Sequence, residues 1–278
     1  MRGGFDLELA RAFVAQHGTP LERARLAALE QGTAPHDVPP ELASLQNLDG
    51  GFPYELQAGH PSALNHTALA LQWLQELHLT GSTTAGGAYA FLLSRQTRRG
   101  IWRESADLQS FSLPLWMDPE SAAGDVYTTA LCARTLLDHP DAGLEIDRAV
   151  AWLQTHQGRD GLLEGFKAPA SWLAVPVFAH LLGHDARAAR RLVAGLGAIL
   201  SDEWTPAMLA GMLRSMLEAG YGLRTELVSR GWALLKTQQQ PDGSFAPDEA
   251  NESAADVTLM VLDVARRIGR SRTSPRAR

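Results

Sequence analysis

A four-fold sequence repeat constrains the fold of this chain more than any other feature. Each copy has a glutamine, three residues, a glycine, one residue, and then an apolar or aromatic residue. The copies occupy residues 46–52, 96–102, 157–163 and 239–245, so their glutamines lie 50, 61 and 82 residues apart. Spacings of this size indicate a supersecondary unit that is stacked several times. The widest interval leaves room for a degenerate copy, which fits the segment 186–200 with Trp204 after it.

The hydrophobic pattern between the repeats is helical. Apolar residues recur every three or four positions, and alternating strand patterns are almost absent. Glycine, proline or Asp-Gly separates most of the periodic stretches. Two helices are predicted to begin near Asn65 and Asp125, and nine others over 6–16, 21–30, 83–96, 145–157, 170–182, 186–200, 206–219, 224–239 and 253–268. The sequence therefore predicts an all-α protein with about eleven helices.

The repeat unit is predicted to be a helical hairpin: an outer helix, the glutamine–glycine turn, and an inner helix. Glycine allows the chain to reverse where other residues resist it. The glutamine amide is suited to join the helix end to a neighbouring unit, with the aromatic ring packed over it. Five such hairpins and an N-terminal pair would stack in a ring, which predicts an α/α toroid of five to six hairpins.

The length and the charge of the chain limit which domain organisation and which partners it can have. The 278 residues predict one domain over 1–268, with N-terminal helices within 5–31, repeats from about 40, and a basic, disordered tail at 269–278. The net charge is −6 although residues 266–278 hold six arginines and no acid, so the rest of the chain is acidic. An acidic protein binds the phosphate backbone of nucleic acid poorly, so no nucleic-acid partner is predicted. The basic tail allows peripheral contact with an anionic membrane.

The cellular compartment is predicted from what the sequence lacks. The single cysteine, Cys132, excludes a disulfide scaffold. No apolar stretch reaches the 18 residues that a membrane-spanning helix needs, and the N-terminus has no signal-peptide core. The sequence thus predicts a cytoplasmic protein, with the peripheral membrane contact as its only link to a bilayer.

The four turns resemble the QW repeats of the terpenoid cyclase and protein prenyltransferase superfamily, whose QW members include squalene–hopene cyclase and oxidosqualene cyclase. The resemblance covers roughly residues 40–268. It implies an α/α toroid in which the inner helices enclose a cavity and their N-terminal ends reach its mouth. It also implies an apolar, isoprenoid-like ligand, and a terpene cyclase or isomerase activity that needs no cofactor or metal.

Class II members of this superfamily carry an Asp-x-Asp-Asp motif at the start of an inner helix, and its central aspartate donates a proton. The matching segment here reads Asp125-Val126-Tyr127-Thr128. Tyr127 is an implausible donor, because a phenol is about six pKa units weaker than aspartic acid, or about 8 kcal/mol. Another carboxyl is then required. Asp125 and Asp256 are the catalytic candidates, and Asp118 and Glu120 in the loop before Asp125 are weaker ones.

The resemblance also implies which residues contact a substrate. They lie on or beside the predicted inner helices, and the rings among them are suited to stabilise a carbocation by about 0.5–2 kcal/mol each. The candidates are Asn65, His66, Trp73, Phe111, Trp116, Tyr127, Thr128 and Trp172. The alternative for each ring is ordinary helix packing; for Asn65, Asp125 and Asp256 it is capping of the following helix. The segment 103–124, the longest without helical period, is predicted to border the cavity mouth.

Two other functions stay open. The first is a non-catalytic lipid-binding or protein-interaction toroid that has lost its acid. The second is a zinc prenyltransferase-like protein, which would need an Asp-x-Cys pair. Cys132 follows Asp125 by seven residues, about 10.5 Å along a helix, which is too far for both to bind one zinc ion. The Asp-Asp-x-x-Asp cluster that would ionise a diphosphate with magnesium is absent from the sequence.

Overall fold

The computed structural model describes residues 5–248 and 253–273, and these residues are mainly α-helical. The helices are α1 (Leu7–His17), α2 (Pro20–Gln31), α3 (Pro40–Ala43), α4 (Leu64–Glu76), α5 (Thr83–Ser94), α6 (Ala122–Thr135), α7 (Gly143–Thr155), α8 (Lys167–Leu182), α9 (Arg187–Ile199), α10 (Pro206–Glu218), α11 (Glu226–Lys236) and α12 (Ala254–Thr273). The all-α class and every predicted helix are confirmed. The short α3 was not predicted from the sequence.

One small antiparallel pair interrupts the helical pattern. β1 (Phe52–Pro53) pairs with β2 (Ser62–Ala63), and Phe52 lies opposite Ala63. Strands of two residues are too short to show an alternating pattern, which explains why the sequence predicted none. The pair brings the end of the first repeat turn beside the start of α4.

The described residues form two compact units. The first unit joins residues 5–32 to residues 196–248 and 253–273, and the second comprises residues 33–195. In the first unit α12 packs against α1, α2 and α10. In the second unit α6 packs against α4, α7 and α8. The single domain over 1–268 stays a prediction.

The repeat glutamines join neighbouring helices, as the sequence predicted. In each copy the Nε2 group donates to the carbonyl of the repeat glycine and to a backbone carbonyl at the start of another helix, at 2.7–3.4 Å. The second acceptors are Thr84 for Gln46, Glu145 for Gln96, Ala188 for Gln157, and Asp6 for Gln239. Asp6 is the N-cap of α1. The last repeat is thus joined to the first helix of the same unit.

Helix α12 extends further than the sequence predicted. It continues to Thr273, so residues 269–273 are helical rather than part of a disordered tail. Ile268 is buried at this end, and arginines near a helix C-terminus interact favourably with the helix dipole. The remainder of the predicted tail, 274–278, lies outside the described residues. Of the helices described, none is long and apolar enough to cross a membrane.

Candidate functional site

Asp125 lies in the first turn of α6, not before it. The N-cap is Ser121, whose hydroxyl accepts from the N–H of Gly124 at 3.1 Å, so the capping role proposed for Asp125 is wrong. The Asp125 carboxylate is buried and accepts two hydrogen bonds from the Arg103 guanidinium, one of them 2.8 Å long. The hydrogen bonds to Asp125, together with its charge, raise the pKa of Arg103.

Asp256 lies in the first turn of α12 and is also paired with an arginine. Its N–H donates to the hydroxyl of Ser253, which precedes the helix, so Asp256 is not the cap either. Its carboxylate accepts from Arg25 of α2, whose side chain is only 2% exposed. Asp256 belongs to the first unit, and Asp125 belongs to the second. Their catalytic roles stay predictions.

The start of α4 is capped by a residue that sequence reasoning missed. Glu104 Oε2 accepts from Leu64 N–H at 2.8 Å, and Oε1 accepts from the N–H and the side-chain Nδ2 of Asn65, both at 2.9 Å. Asn65 is therefore not a cap: it is the second residue of the helix, and Ala63, the N-cap, has no suitable side chain. A neighbouring repeat turn supplies the carboxylate instead.

Glu104 is a buried carboxyl. It is 5% exposed, and this burial raises the pKa of its carboxyl, an effect that the side-chain and backbone N–H groups of Asn65 and that of Leu64 oppose. The Nδ2 of Asn65 also lies 3.5 Å from the buried Oγ1 of Thr128 on α6. The amide of Asn65 thus connects the Glu104 carboxyl to Thr128, and Asn65 and Thr128 are both predicted substrate-binding residues.

The repeat itself held a signal for Glu104. It lies two residues beyond Trp102, and the corresponding positions of the other copies are Tyr54, Gly165 and Pro247. Glu104 is the only acid among the four. Glu104 lies in a turn that directly precedes no predicted helix start, so its position in the sequence does not indicate that it caps α4.

A buried hydroxyl in the second helix of each repeat shows which residues of these four helices occupy equivalent positions. It accepts the N–H of the last repeat residue at 2.8–3.1 Å. These hydroxyls belong to Thr67, Thr129, Ser171 and Thr258. Two residues earlier the helices carry Asn65, Tyr127, Pro169 and Asp256. Asp256 therefore corresponds to Tyr127 rather than to Asp125, because α6 begins about one turn earlier than the other three helices.

His66 is neutral and only partly hydrogen-bonded. Its Nε2 accepts from Glu55 N–H at 3.1 Å, in a turn where Glu55 has a φ of 55°. The Nδ1 atom is buried and has no hydrogen-bond partner among the described residues. Burial lowers the pKa of His66 to about 4. His66 neither caps α4 nor joins a group of three or more His, Cys, Asp and Glu side chains that would hold a metal, judged over the described chain.

The predicted aromatic residues form two groups in the second unit. The ring centroid of Tyr54 lies 5.3 Å from the ring centroid of His66 and 5.3 Å from that of Phe111. Trp116 and Tyr127 each present an edge-to-face contact to Phe166, at 6.3 and 6.4 Å. The remaining predicted rings, Trp73 and Trp172, are half-buried on α4 and α8.

The segment 103–124 supplies several of these side chains. It contains two short 3₁₀ turns, Ala106–Ser110 and Leu115–Met117. Glu104 precedes the first turn, Phe111 follows it, and Trp116 lies in the second. That this segment borders a cavity mouth stays a prediction.

The zinc alternative loses its cysteine ligand in this structure. Cys132 is fully buried, and this burial raises the pKa of its thiol. Burial therefore disfavours the thiolate that binds zinc. Among the residues described, Asp125 and Cys132 belong to no group of three or more His, Cys, Asp and Glu side chains that could hold a metal ion.

Burial of His66 predicts that acid destabilises the protein. The unfolded imidazole takes up a proton near pH 6.5, but the folded one does so only near pH 4. Lowering the pH through this interval should therefore reduce the free energy of unfolding by about 3 kcal/mol, at about 1.4 kcal/mol per unit of pH. Urea unfolding between pH 4 and 7 measures this change. His66→Gln should flatten the slope, the exposed His180→Gln should not, and equal slopes for all three proteins would contradict the assignment.

Comparison with known proteins places the fold. No protein-family model and no curated protein matches this chain. Among solved structures, the type II terpene cyclase MstE from Scytonema matches in its apo form with 17% identity and a TM-score of 0.61, covering 93% of this chain and 88% of that one. A variant of MstE in complex with its substrate, geranylgeranyl dihydroxybenzoate, matches with 16% identity and a TM-score of 0.60 over 94% and 86% of the two chains.

A protein from Actinoplanes matches in the same way, with 20% identity, a TM-score of 0.60, and coverage of 94% and 88%. At such identities the matches establish the fold alone. The chain has the all-α fold of the type II terpene cyclases, which confirms the fold class predicted from the repeats.

Proposed function

We propose that this protein binds an isoprenoid chain and cyclises or isomerises it through a proton-initiated carbocation. The fold match carries the proposal: it extends over nearly the whole chain to MstE, which has been seen with geranylgeranyl dihydroxybenzoate and with the product merosterolic acid A. The two aromatic groups of the second unit support it. Rings of this kind stabilise a cation by about 0.5–2 kcal/mol each when water is excluded.

The polar residues of the proposed site lie at the starts of α4 and α6. Asn65 and His66 belong to α4, and Asp125, Tyr127 and Thr128 belong to α6. In the proposal, Tyr127 lines the substrate with Trp116 through their shared contact with Phe166. Asn65, Thr128 and His66 place polar atoms at one end of the substrate, where the reaction starts.

The predicted acids Asp125 and Asp256 enter the proposal as residues to test. Each carboxyl group is held in an ion pair with an arginine, Arg103 for Asp125 and Arg25 for Asp256. Donating a proton to a substrate would require that ion pair to break. For this reason the proposal does not depend on either residue as the initiating acid.

Incubation with isoprenoids tests the activity. Purified protein is given C15 to C30 polyprenols, their diphosphates and geranylgeranyl dihydroxybenzoate, and products are identified by mass spectrometry. We expect cyclised or isomerised product of unchanged mass from at least one polyprenol or from the benzoate. Absence of turnover together with co-purified lipid would support the non-catalytic alternative instead. Product formation unaffected by Asp125→Asn and Asp256→Asn would exclude these two residues as the acid.

A further inference from the structure

We propose that Glu104 is the residue that donates the initiating proton, with Asn65 as the positioning residue that stabilises the carboxylate left behind. The inference rests on the proposed function and assigns its acid. It follows from three observations: the burial and hydrogen bonds of Glu104, its neighbours, and the ion pairs that hold the other carboxyls.

A proton donor for an alkene must satisfy two requirements. It must hold its proton before the substrate arrives, and its anion must be stabilised once the proton leaves. The burial of Glu104 meets the first requirement, because a low-dielectric environment disfavours the charged carboxylate. The three N–H groups of Leu64 and Asn65, at 2.8–2.9 Å, meet the second. Such preorganised donors stabilise a charge that develops during the reaction.

The neighbours of Glu104 belong to the proposed site. Asn65 and Thr128 are implied to contact substrate by the family resemblance, and the Asn65 amide lies between the Glu104 carboxyl and the Thr128 hydroxyl. Asp125, by contrast, is held by Arg103. Among the buried carboxyls of the second unit, Glu104 is the one without an arginine or lysine partner within the residues described.

The proposed step is a proton transfer that leaves the protein unchanged overall. The O–H bond of Glu104 breaks, and the π electron pair of the substrate alkene forms a C–H bond to that proton. The other alkene carbon becomes a cation, and the Glu104 carboxylate keeps its hydrogen bonds to α4. A second double bond attacks the cation and closes a ring. The final cation loses a proton to water, and water returns one to Glu104, so the reaction is an isomerisation.

A purely structural role is the competing explanation, since Glu104 caps α4. Both roles predict that Glu104→Gln lowers stability. The proton-donor role alone predicts loss of turnover by protein that is folded and still binds substrate. The two roles are therefore separated by comparing kcat with substrate binding, using the folded fraction as a correction.

The experiment compares Glu104→Gln, Asn65→Ala and the control Glu164→Gln in D2O. Glu164 is an exposed acid in the next repeat turn. Geranylgeraniol and geranylgeranyl dihydroxybenzoate serve as substrates; binding is followed by tryptophan fluorescence and folding by circular dichroism. We expect wild type and Glu164→Gln to form product with one added deuterium. Glu104→Gln should lose at least about 100-fold in kcat with binding retained. Asn65→Ala should lose at least about tenfold in kcat, because it removes one of the three donors to Glu104.

The outcomes separate this inference from the proposed function. Turnover by folded Glu104→Gln near the wild-type rate would overturn the assignment while the cyclase function stands. If Glu104→Gln does not fold, an Asn65→Ala kcat equal to that of wild type would overturn it. Wild-type protein that binds geranylgeraniol but forms no product from any substrate would overturn the proposed function, and with it this inference.

Discussion

Gly161→Ala should lower the free energy of unfolding by about 4 kcal/mol. Gly161 has a φ of 88°, a left-handed conformation that alanine adopts only with strain. A Cβ atom added there would lie 2.4 Å from the Arg191 carbonyl oxygen on α9. That oxygen belongs to the helix backbone and has no flexible side chain through which to yield. The same helix receives the Gln157 side chain at Ala188, so the substitution would force apart two elements that the repeat holds together.

The matched control is Gly183→Ala. Gly183 also has a φ of 88°, but an added Cβ would meet no atom within 4 Å. It should therefore lose only the cost of the left-handed backbone, about 1 kcal/mol. Chemical denaturation followed by circular dichroism measures both variants. An equal loss at the two positions would show that the repeat glycine serves the chain reversal alone and not the contact with α9.

The sequence predicted the helices and the repeat contacts well because both depend on local patterns. Apolar periodicity reports which residues a helix buries, and it needs no knowledge of distant partners. The glutamine–glycine spacing fixes a turn in which Gln157 bonds its own Gly161. The second hydrogen bond of that glutamine, to Ala188 at the start of α9, was predicted because the repeat implies that each turn contacts the next helical hairpin.

The candidate site was harder to predict because its contacts are long-range. The cap of α4 is Glu104, 40 residues beyond Leu64. The partner of Asp256 is Arg25, 231 residues away. A single sequence shows that Asp256 begins an apolar helix, but it does not show which charge faces the carboxylate. For the same reason, capping was assigned to Asn65 and Asp125 from their nearness to a helix start, although the caps are Glu104 and Ser121.

The proton-donor segment illustrates the same difficulty. Matching Asp125-Val126-Tyr127-Thr128 to the family motif showed the loss of the central aspartate. It did not show that α6 begins early, at Ala122, so that Asp125 lies within a helix turn beside Arg103. The helix register became clear only from the hydroxyl of Thr129, which receives the N–H of Trp102.

Asp256→Asn should lower the free energy of unfolding by about 3 kcal/mol, because it removes a charge that faces a buried guanidinium. The Arg25 side chain is 2% exposed and that of Asp256 is 21% exposed, so water provides little compensation for the lost carboxylate. Breaking one side of such a pair costs more than removing both sides. A double-mutant cycle of urea unfolding with Arg25→Met, Asp256→Leu and the variant that carries both should therefore show that the double variant loses less stability than the two single variants together.

An exposed ion pair supplies the control for this cycle. Arg95 and Asp49 are 3.1 Å apart, with side chains 46% and 42% exposed, and Asp49→Asn should cost less than about 1 kcal/mol. If Asp256→Asn lowers the free energy of unfolding no more than Asp49→Asn does, the ion pair with Arg25 does not hold α2 and α12 together. Asp256 would then again be a candidate for the initiating acid. If it costs the expected amount, any loss of turnover in Asp256→Asn should follow the folded fraction, since a structural ion pair affects activity only through the amount of folded protein.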